Sequence, residues 1–249
     1  MPRCFRRYRL WLSFPRRRES NWSETTSMIT VHHLENSRSH RIVWLLEELG
    51  VPYEIRHYKR DPKTSLAPPE LLKVHPLGKS PVITDDGVTI AESGAIIEYL
   101  VERYGNGALV PPPRTPEKTR YTYWMHFAEG TAMPPLVMKL VFNRVERGSM
   151  PFFARPIARG IARKVKDGFI DPNLQRIVKH IEDELGREGW FAGSEFTAAD
   201  IQMSFPVEAA AVRAGAATLP NVKRFLERIH ERPAFKRAVE KGGKVEILG

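Results

Sequence analysis

The residues best placed to do chemistry lie at three polar junctions in the first hundred positions. In "ENSRSHR" (35–41), Asn36, Ser37 and Ser39 stand between a short apolar run and an amphipathic helical pattern. A hydroxyl in front of a helix N-terminus can hydrogen-bond an anion that the orphan N–H groups and the helix dipole also hold. The competing role is a plain N-cap. In "HPLGKSPVI" (75–83), Pro81 opens a strand after a Gly-Lys turn, so Ser80-Pro81 is a candidate cis peptide. A cis bond there turns the Ser80 backbone toward an extended peptide ligand. Lys79 beside it suits a carboxylate, unless it is simply a solvated lysine before an edge-strand proline. In "TIAESGAII" (89–97), Glu92 suits an ammonium, and the Ser93 hydroxyl with nearby N–H groups suits a carboxylate. That pair, too, could be only a cap with an acidic first turn. A further motif, Thr197-Ala198-Ala199-Asp200, reads as a structural capping box that starts a core helix.

The elements around these junctions follow from periodicity. "ITVHHL" (29–34) has strand character, and 39–49 carries apolar residues at helical spacing, closed by Gly50 as a C-cap. "YEIRHY" (53–58) alternates as a second strand, and "PPELLKVH" (68–75) is a short helix. "PVITD" and "VTIAE" are strands joined by Asp86-Gly87, a hairpin signal. Residues 93–105 form an amphipathic helix with Gly105 as its C-cap. The order predicts a small α/β domain in which a parallel pair and a terminal hairpin share one mixed sheet. "GNGALVPPPRTP" (105–116) is a linker, and beyond it every pattern is helical. One long helix is expected over 117–143, bent near Met133-Pro134-Pro135. Further helices are expected near 151–167, 171–186, 196–214, 221–231 and 233–241.

Composition narrows the function classes. The chain has 249 residues and a formal charge of +10, but residues 1–27 hold seven Arg and two Glu, half of the excess. That arm lacks the apolar region of a secretory signal and any nucleic-acid recognition motif. It reads as a disordered basic extension, a targeting arm, or sequence ahead of a start at Met28. No window is apolar enough for a transmembrane helix. The single cysteine, Cys4, lies in the same arm. The body therefore offers no cysteine nucleophile, disulfide or thiolate metal site. "ARPIARGIARKVKDG" (154–168) reads as a solvated basic face, with anionic co-substrates or a membrane surface as the alternatives.

Ser37, then Lys79-Ser80-Pro81, then Glu92-Ser93, then a proline-rich linker and an all-helical half together closely resemble a cytosolic glutathione transferase, from Met28 to about residue 235. "YKRD…APPELLKVHPLGKSP" and "MSFP" are most similar to the fungal membrane-associated type and its bacterial relatives. The resemblance implies a thioredoxin-like, glutathione-binding α/β domain over 28–105, a linker over 106–116, an all-α domain over 117–241 and a tail over 242–249. In serine-type members the catalytic hydroxyl lies four residues before an arginine. Counting back from Arg41 gives Ser37, with Ser39 and Asn36 as neighbours that could displace it. Ser80 and Pro81 match the dipeptide that pairs with the cysteinyl backbone of glutathione, and Lys79 the residue at its glycine carboxylate. Glu92 and Ser93 match the pair at the γ-glutamyl end, and Glu129 an acid that reaches the γ-glutamyl amine across a dimer. "SLAPPEL" departs from the pattern by lacking the His-Lys pair of theta-type enzymes, which leaves the glycine end mainly to Lys79.

The implied protein is a cytoplasmic homodimer with glutathione as co-substrate, no other cofactor, and a hydrophobic electrophile as second substrate. Membrane association and nucleic acid are not expected. Tyr123, Phe127 and Met133, at helical spacing, are candidates for the electrophile pocket, with core or dimer contacts as the alternative. A free thiol has a pKa of about 8.5. One hydroxyl donor plus a helix N-terminus supplies roughly 2–3 kcal/mol, enough to lower it by about two units. Ser37 would then stabilise a thiolate that attacks an electrophilic carbon or a hydroperoxide oxygen. The rival is a non-enzymatic protein-interaction module on the same fold.

Overall fold

The computed structural model describes residues 28–148, 150–243 and 247. The expectation for the basic arm, and for most of the tail, lies outside the described residues. Four strands, β1 (Ile29–Leu34), β2 (Tyr53–Tyr58), β3 (Val82–Asp85) and β4 (Val88–Ala91), form one sheet in the order β2-β1-β3-β4. β1 and β2 run parallel, while β1–β3 and β3–β4 are antiparallel. A parallel pair needs a crossover, and α1 (Ser39–Leu49) supplies it. Its Ile42, Val43, Leu45 and Leu46 are fully buried. Gly50, at φ 65°, ends the helix by donating its N–H to Leu46 O. Asp86 and Gly87 both take positive φ, the backbone that a two-residue hairpin needs to match the strand twist.

α2 (Glu70–Val74) leads to the loop before β3, and α3 (Ser93–Tyr104) follows β4 directly. Buried Asp85 accepts hydrogen bonds from Tyr99 and Tyr104, which ties α3 to the hairpin. Gly105 is the C-cap of α3, as expected, and donates its N–H to Val101 O. It sits at φ −79°, not in the left-handed region. A Cβ there would lie 2.4 Å from Val101 O, so glycine is needed for a close approach rather than a handed turn.

In the second half, α4 (Pro116–Phe127) and α5 (Met133–Arg147) join through a wide π-turn at Ala128–Ala132. The π-turn lies one turn before Pro134 and Pro135, which have no N–H to close regular helical bonds to the carbonyls of that turn. α6 (Arg155–Val165) and α7 (Asp171–Glu188) join in the same way at Lys166–Ile170. α8 (Ala198–Arg213), α9 (Pro220–Glu231) and α10 (Pro233–Gly242) complete the chain. Asp200 accepts from the Thr197 N–H at 2.8 Å and from its hydroxyl at 3.0 Å, and so holds the start of α8. Among the described residues no helix is long and apolar enough to cross a membrane.

α1 is the element both halves share. Its inner face lies on the sheet, and Trp44, fully buried, packs against Phe196 and Phe235 of the helical half. Burial of such a side chain contributes roughly 1.5–3 kcal/mol. Glu48 takes a two-pronged contact from Arg232, and Glu47 holds Arg237 and Lys241, so α10 is clamped along α1. α1 is therefore held from both sides, and its first turn lies at the candidate site.

Candidate active site

A cavity of about 200 Å³ opens where α1, the loop before β3, the start of α3 and the π-turn after α4 meet. Lys79, Ser80, Pro81, Glu92, Ser93 and Glu129 all line it. So do Arg38, His75, Leu77 and Ala91, which the sequence patterns did not single out. The Ser80-Pro81 peptide is cis. The Ser80 hydroxyl donates to His32 O at 2.8 Å and accepts from the Leu34 N–H at 3.3 Å, which locks this corner to the end of β1.

Neither helix that faces the cavity has a side-chain cap. Arg38 and Glu92 occupy the N-cap positions of α1 and α3, and neither makes a capping hydrogen bond. Ser39 and Glu92 therefore do not act as plain caps, while Ser37 keeps a local bond at the helix start, accepting from the Ser39 N–H at 3.3 Å. At α1 the Ser39, His40 and Arg41 N–H groups are taken locally, by Ser37 Oγ, Ser37 O and Arg38 O, whereas the uncapped start of α3 keeps N–H groups for another acceptor. Glu92 also stands at φ 72°, ψ 120°, a conformation that costs a non-glycine residue about 1–3 kcal/mol. Such strain persists where the surroundings impose it, and here it sits on the cavity wall.

An ion network runs beneath the cavity. Arg41 is 1% exposed and donates to Ser93 Oγ at 2.8 Å, to Glu129 Oε1 at 2.6 Å and to the Gln202 carbonyl. Arg38 donates to the same Glu129 oxygen at 2.9 Å. The guanidinium charges beside Glu129 hold its carboxyl below the usual carboxylate range, against the opposing effect of burial. Glu129 thus faces the cavity of its own chain, whereas the resemblance implied a reach across a dimer. Arg38 and Arg41 lie in the first turn of α1, where cations oppose the helix dipole. That misplacement was the one available signal that an acid must answer them.

Ser37 lies one residue off the cavity wall. It is buried, and its Oγ accepts from the Ser39 N–H at 3.3 Å and sits 2.7 Å from Ser39 Oγ. Ser39 Oγ in turn lies 3.0 Å from His33 Nδ1 and 3.3 Å from Leu34 O. Burial pushes the His33 imidazole down to about 4, so the ring is neutral at neutral pH. The result is a buried chain, His33–Ser39–Ser37, ending beside the cavity. Ser39 is fully buried behind Ser37, and the Asn36 carbonyl accepts from Arg60 at 3.2 Å.

The expected electrophile residues lie outside this cavity. Tyr123 and Phe127 do share a helix face, but it turns toward α7. The Tyr123 hydroxyl lies 3.1 Å from His180 Nε2, and both rings pack against His180. Met133 is buried in the core. None of the three lines the cavity, because the apolar stripe of α4 is spent on packing between helices. Phe205 of α8 is the aromatic side chain nearest the α1 arginines, with Arg38 Cζ 5.3 Å and Arg41 Cζ 5.7 Å from its centroid.

Residues 26–102 match the glutathione S-transferase N-terminal domain family, and residues 170–233 match the C-terminal domain family. Glutathione S-transferase 3 of Schizosaccharomyces pombe is 42% identical over 216 residues, which cover 86% of this chain and 88% of that protein. The chain belongs to the glutathione S-transferase family. A glutathione S-transferase structure from Actinobacillus pleuropneumoniae is 34% identical, with a TM-score of 0.75 over 88% of this chain and 95% of that one. A glutathione transferase from Phanerochaete chrysosporium, solved in complex with oxidized glutathione, shares the fold at a TM-score of 0.68 and 24% identity. That alignment covers 88% of this chain and 98% of the other. The thioredoxin-like α/β half and the all-helical half are those of this family.

Proposed function

We propose that the protein conjugates the thiolate of glutathione to small electrophiles. The observation that carries this reading is the one cavity where Lys79, Ser80, Pro81, Glu92, Ser93 and Glu129 meet at the uncapped start of α3. Those groups suit the three parts of glutathione. Lys79 takes the glycine carboxylate, the Ser80-Pro81 corner takes the cysteinyl backbone, and Ser93 with the α3 N–H groups takes the γ-glutamyl carboxylate. Glu92 and Glu129 then face the γ-glutamyl ammonium. The sulfur is left pointing toward the start of α1.

Ser37 acts there as a hydrogen-bond donor, not as a base. Its hydroxyl is free for sulfur only if the buried chain runs outward. His33 Nδ1–H then donates to Ser39, Ser39 donates to Ser37, and Ser37 donates to the thiolate. An anion at the end of the chain favours that direction, and each bond strengthens the next. The thiolate attacks the electrophilic carbon. A C–S bond forms. Either the leaving group departs with its electron pair or, for an unsaturated carbonyl compound, the pair moves into an enolate that takes a proton from solvent. The thiol proton has already gone to solvent. With an organic hydroperoxide the same sulfur takes the distal oxygen and releases the alcohol, and a second glutathione returns the oxidised sulfur as the disulfide with loss of water.

A cytoplasmic location and a homodimer belong to the same proposal. Val137, Val141 and Val145 form an exposed stripe along α5 of the kind a second copy would cover. The direct test is conjugation of glutathione to a panel of aryl halides and unsaturated carbonyl compounds, read against the uncatalysed rate. Rates above background that saturate with glutathione support the reading. Tight glutathione binding with no rate above background would instead mark a binding module.

A further inference from the structure

His75 lines the cavity together with Lys79, and both belong to the loop between α2 and β3. Pro76 disfavours helical backbone in the residue before it, and His75 accordingly leaves α2 at φ −145°, ψ 137°. The Gly78 N–H then donates to His75 O at 2.9 Å, with Gly78 itself in the left-handed region at φ 56°. The closed turn brings its first residue, His75, and the residue that follows it, Lys79, to one cavity.

The same turn decides which ring nitrogen is left for a ligand. The Leu77 N–H donates to His75 Nδ1 at 3.3 Å, so Nδ1 is the bare nitrogen and the ring proton sits on Nε2. Among the described residues Nε2 has no acceptor and Lys79 has no ion-pair partner. Residues 75–81 contain no acid. The acids of the cavity, Glu92 and Glu129, come instead from the start of α3 and the π-turn after α4. The loop therefore offers an N–H donor and an ammonium with no carboxylate of its own to occupy them, which is the complement of a ligand carboxylate. The walls that carry the two acids suit the ammonium of the same ligand.

We propose that His75 is a further binding residue, which grips the glycine carboxylate of glutathione together with Lys79 and makes the site selective for a free acid at that end. One carboxylate oxygen takes the His75 Nε2–H and the other the Lys79 ammonium. This rests on the glutathione reading above and adds to it a residue that no motif in the sequence pointed to. The two groups divide the work. An ammonium on a flexible stem supplies charge with little direction, whereas the imidazole N–H, held by its turn, fixes where the oxygen must lie. A glycine amide in place of the acid loses the ion pair with Lys79 and sets an NH2 donor against a second donor.

The test compares glutathione with its glycine amide by calorimetric titration into the full-length protein. The wild type should bind the acid at least about tenfold more tightly, as a charge-assisted contact requires. His75→Asn keeps an acceptor for the Leu77 N–H but is too short to reach the carboxylate. It should lower the acid-to-amide ratio about fivefold, the size of one partly solvated charge-assisted bond, and leave thermal unfolding unchanged. His75→Gln, whose longer side chain carries an N–H to the Nε2 position, should keep most of the ratio. A ratio unchanged in His75→Asn overturns the proposal. So does a loss of acid and amide binding in equal proportion, because a histidine that only braced the turn would weaken both alike. Equal binding of acid and amide by the wild type overturns the clamp while glutathione binding stands. Binding of neither compound overturns the glutathione reading and the clamp with it.

Discussion

Removing Glu129 isolates the physical role of the network under the cavity. Glu129→Ala would leave Arg41, 1% exposed, with only Ser93 Oγ and the Gln202 carbonyl as acceptors. Breaking a buried ion pair from one side typically costs about 3–5 kcal/mol. Glu129 itself is 32% exposed, so water can reach the vacated space, and about 2–3 kcal/mol is the expected loss. For a domain of this size that lowers Tm by about 4–12 °C. Arg38→Ala removes a pair that is 31% exposed on the arginine side and should cost no more than about 1 kcal/mol. Thermal unfolding of the two variants, alone and combined, gives the comparison. The KM for glutathione should rise in Glu129→Ala, because Arg41 is also the partner of Ser93. A Glu129→Ala protein no less stable than Arg38→Ala would refute the claim that the acid answers a buried charge.

Three further outcomes follow from individual groups. Burial holds both His33 and His40 down at about 4, against 6.5 for an exposed imidazole. Between pH 6.5 and about 4 the unfolded chain binds protons that the folded chain refuses, so stability falls on acidification by up to about 3 kcal/mol per histidine. Asp200, pushed up to about 6 by burial, opposes this by binding a proton in the folded state. His40→Phe should cut the loss measured by urea unfolding across that window by up to about 3 kcal/mol, since His40 Nε2 has no partner to lose. Gly105→Ala should destabilise by about 1–3 kcal/mol through its contact with Val101 O, whereas Gly130→Ala, with open space around it, should be neutral or slightly stabilising. Ser39→Ala should raise the pKa of bound glutathione by up to about one unit, as the loss of one donor behind Ser37 requires. An unchanged or lowered value would mean that Ser37 donates inward to Ser39.

The elements were legible because local periodicity and turn chemistry carry them. The alternation of 53–58, the helical stripe of 39–49 and Asp86-Gly87 each act over a few residues, and the structure places strand, helix and hairpin there. The corner at Ser80-Pro81 was legible for the same reason. What was not legible depends on long-range packing. Glu129 meets Arg41 across 88 positions, and no local pattern links them. The stripe of Tyr123 and Phe127 was visible as a stripe, but which neighbour it faces is decided by α7, through His180. Gly105 was found as a helix end, yet the close approach of Val101 O that requires a glycine is a property of coordinates.

The most direct measurement is the ultraviolet absorbance of the thiolate while glutathione is titrated into the wild-type protein and Ser37→Ala across a range of pH. Stabilisation by Ser37 and the α1 start predicts a bound-thiol pKa about two units below the free value of about 8.5, raised by about one to two units on substitution. A bound thiol with an ordinary pKa, or a lowered one that Ser37→Ala leaves unchanged, would contradict the assignment of the activating hydroxyl to Ser37.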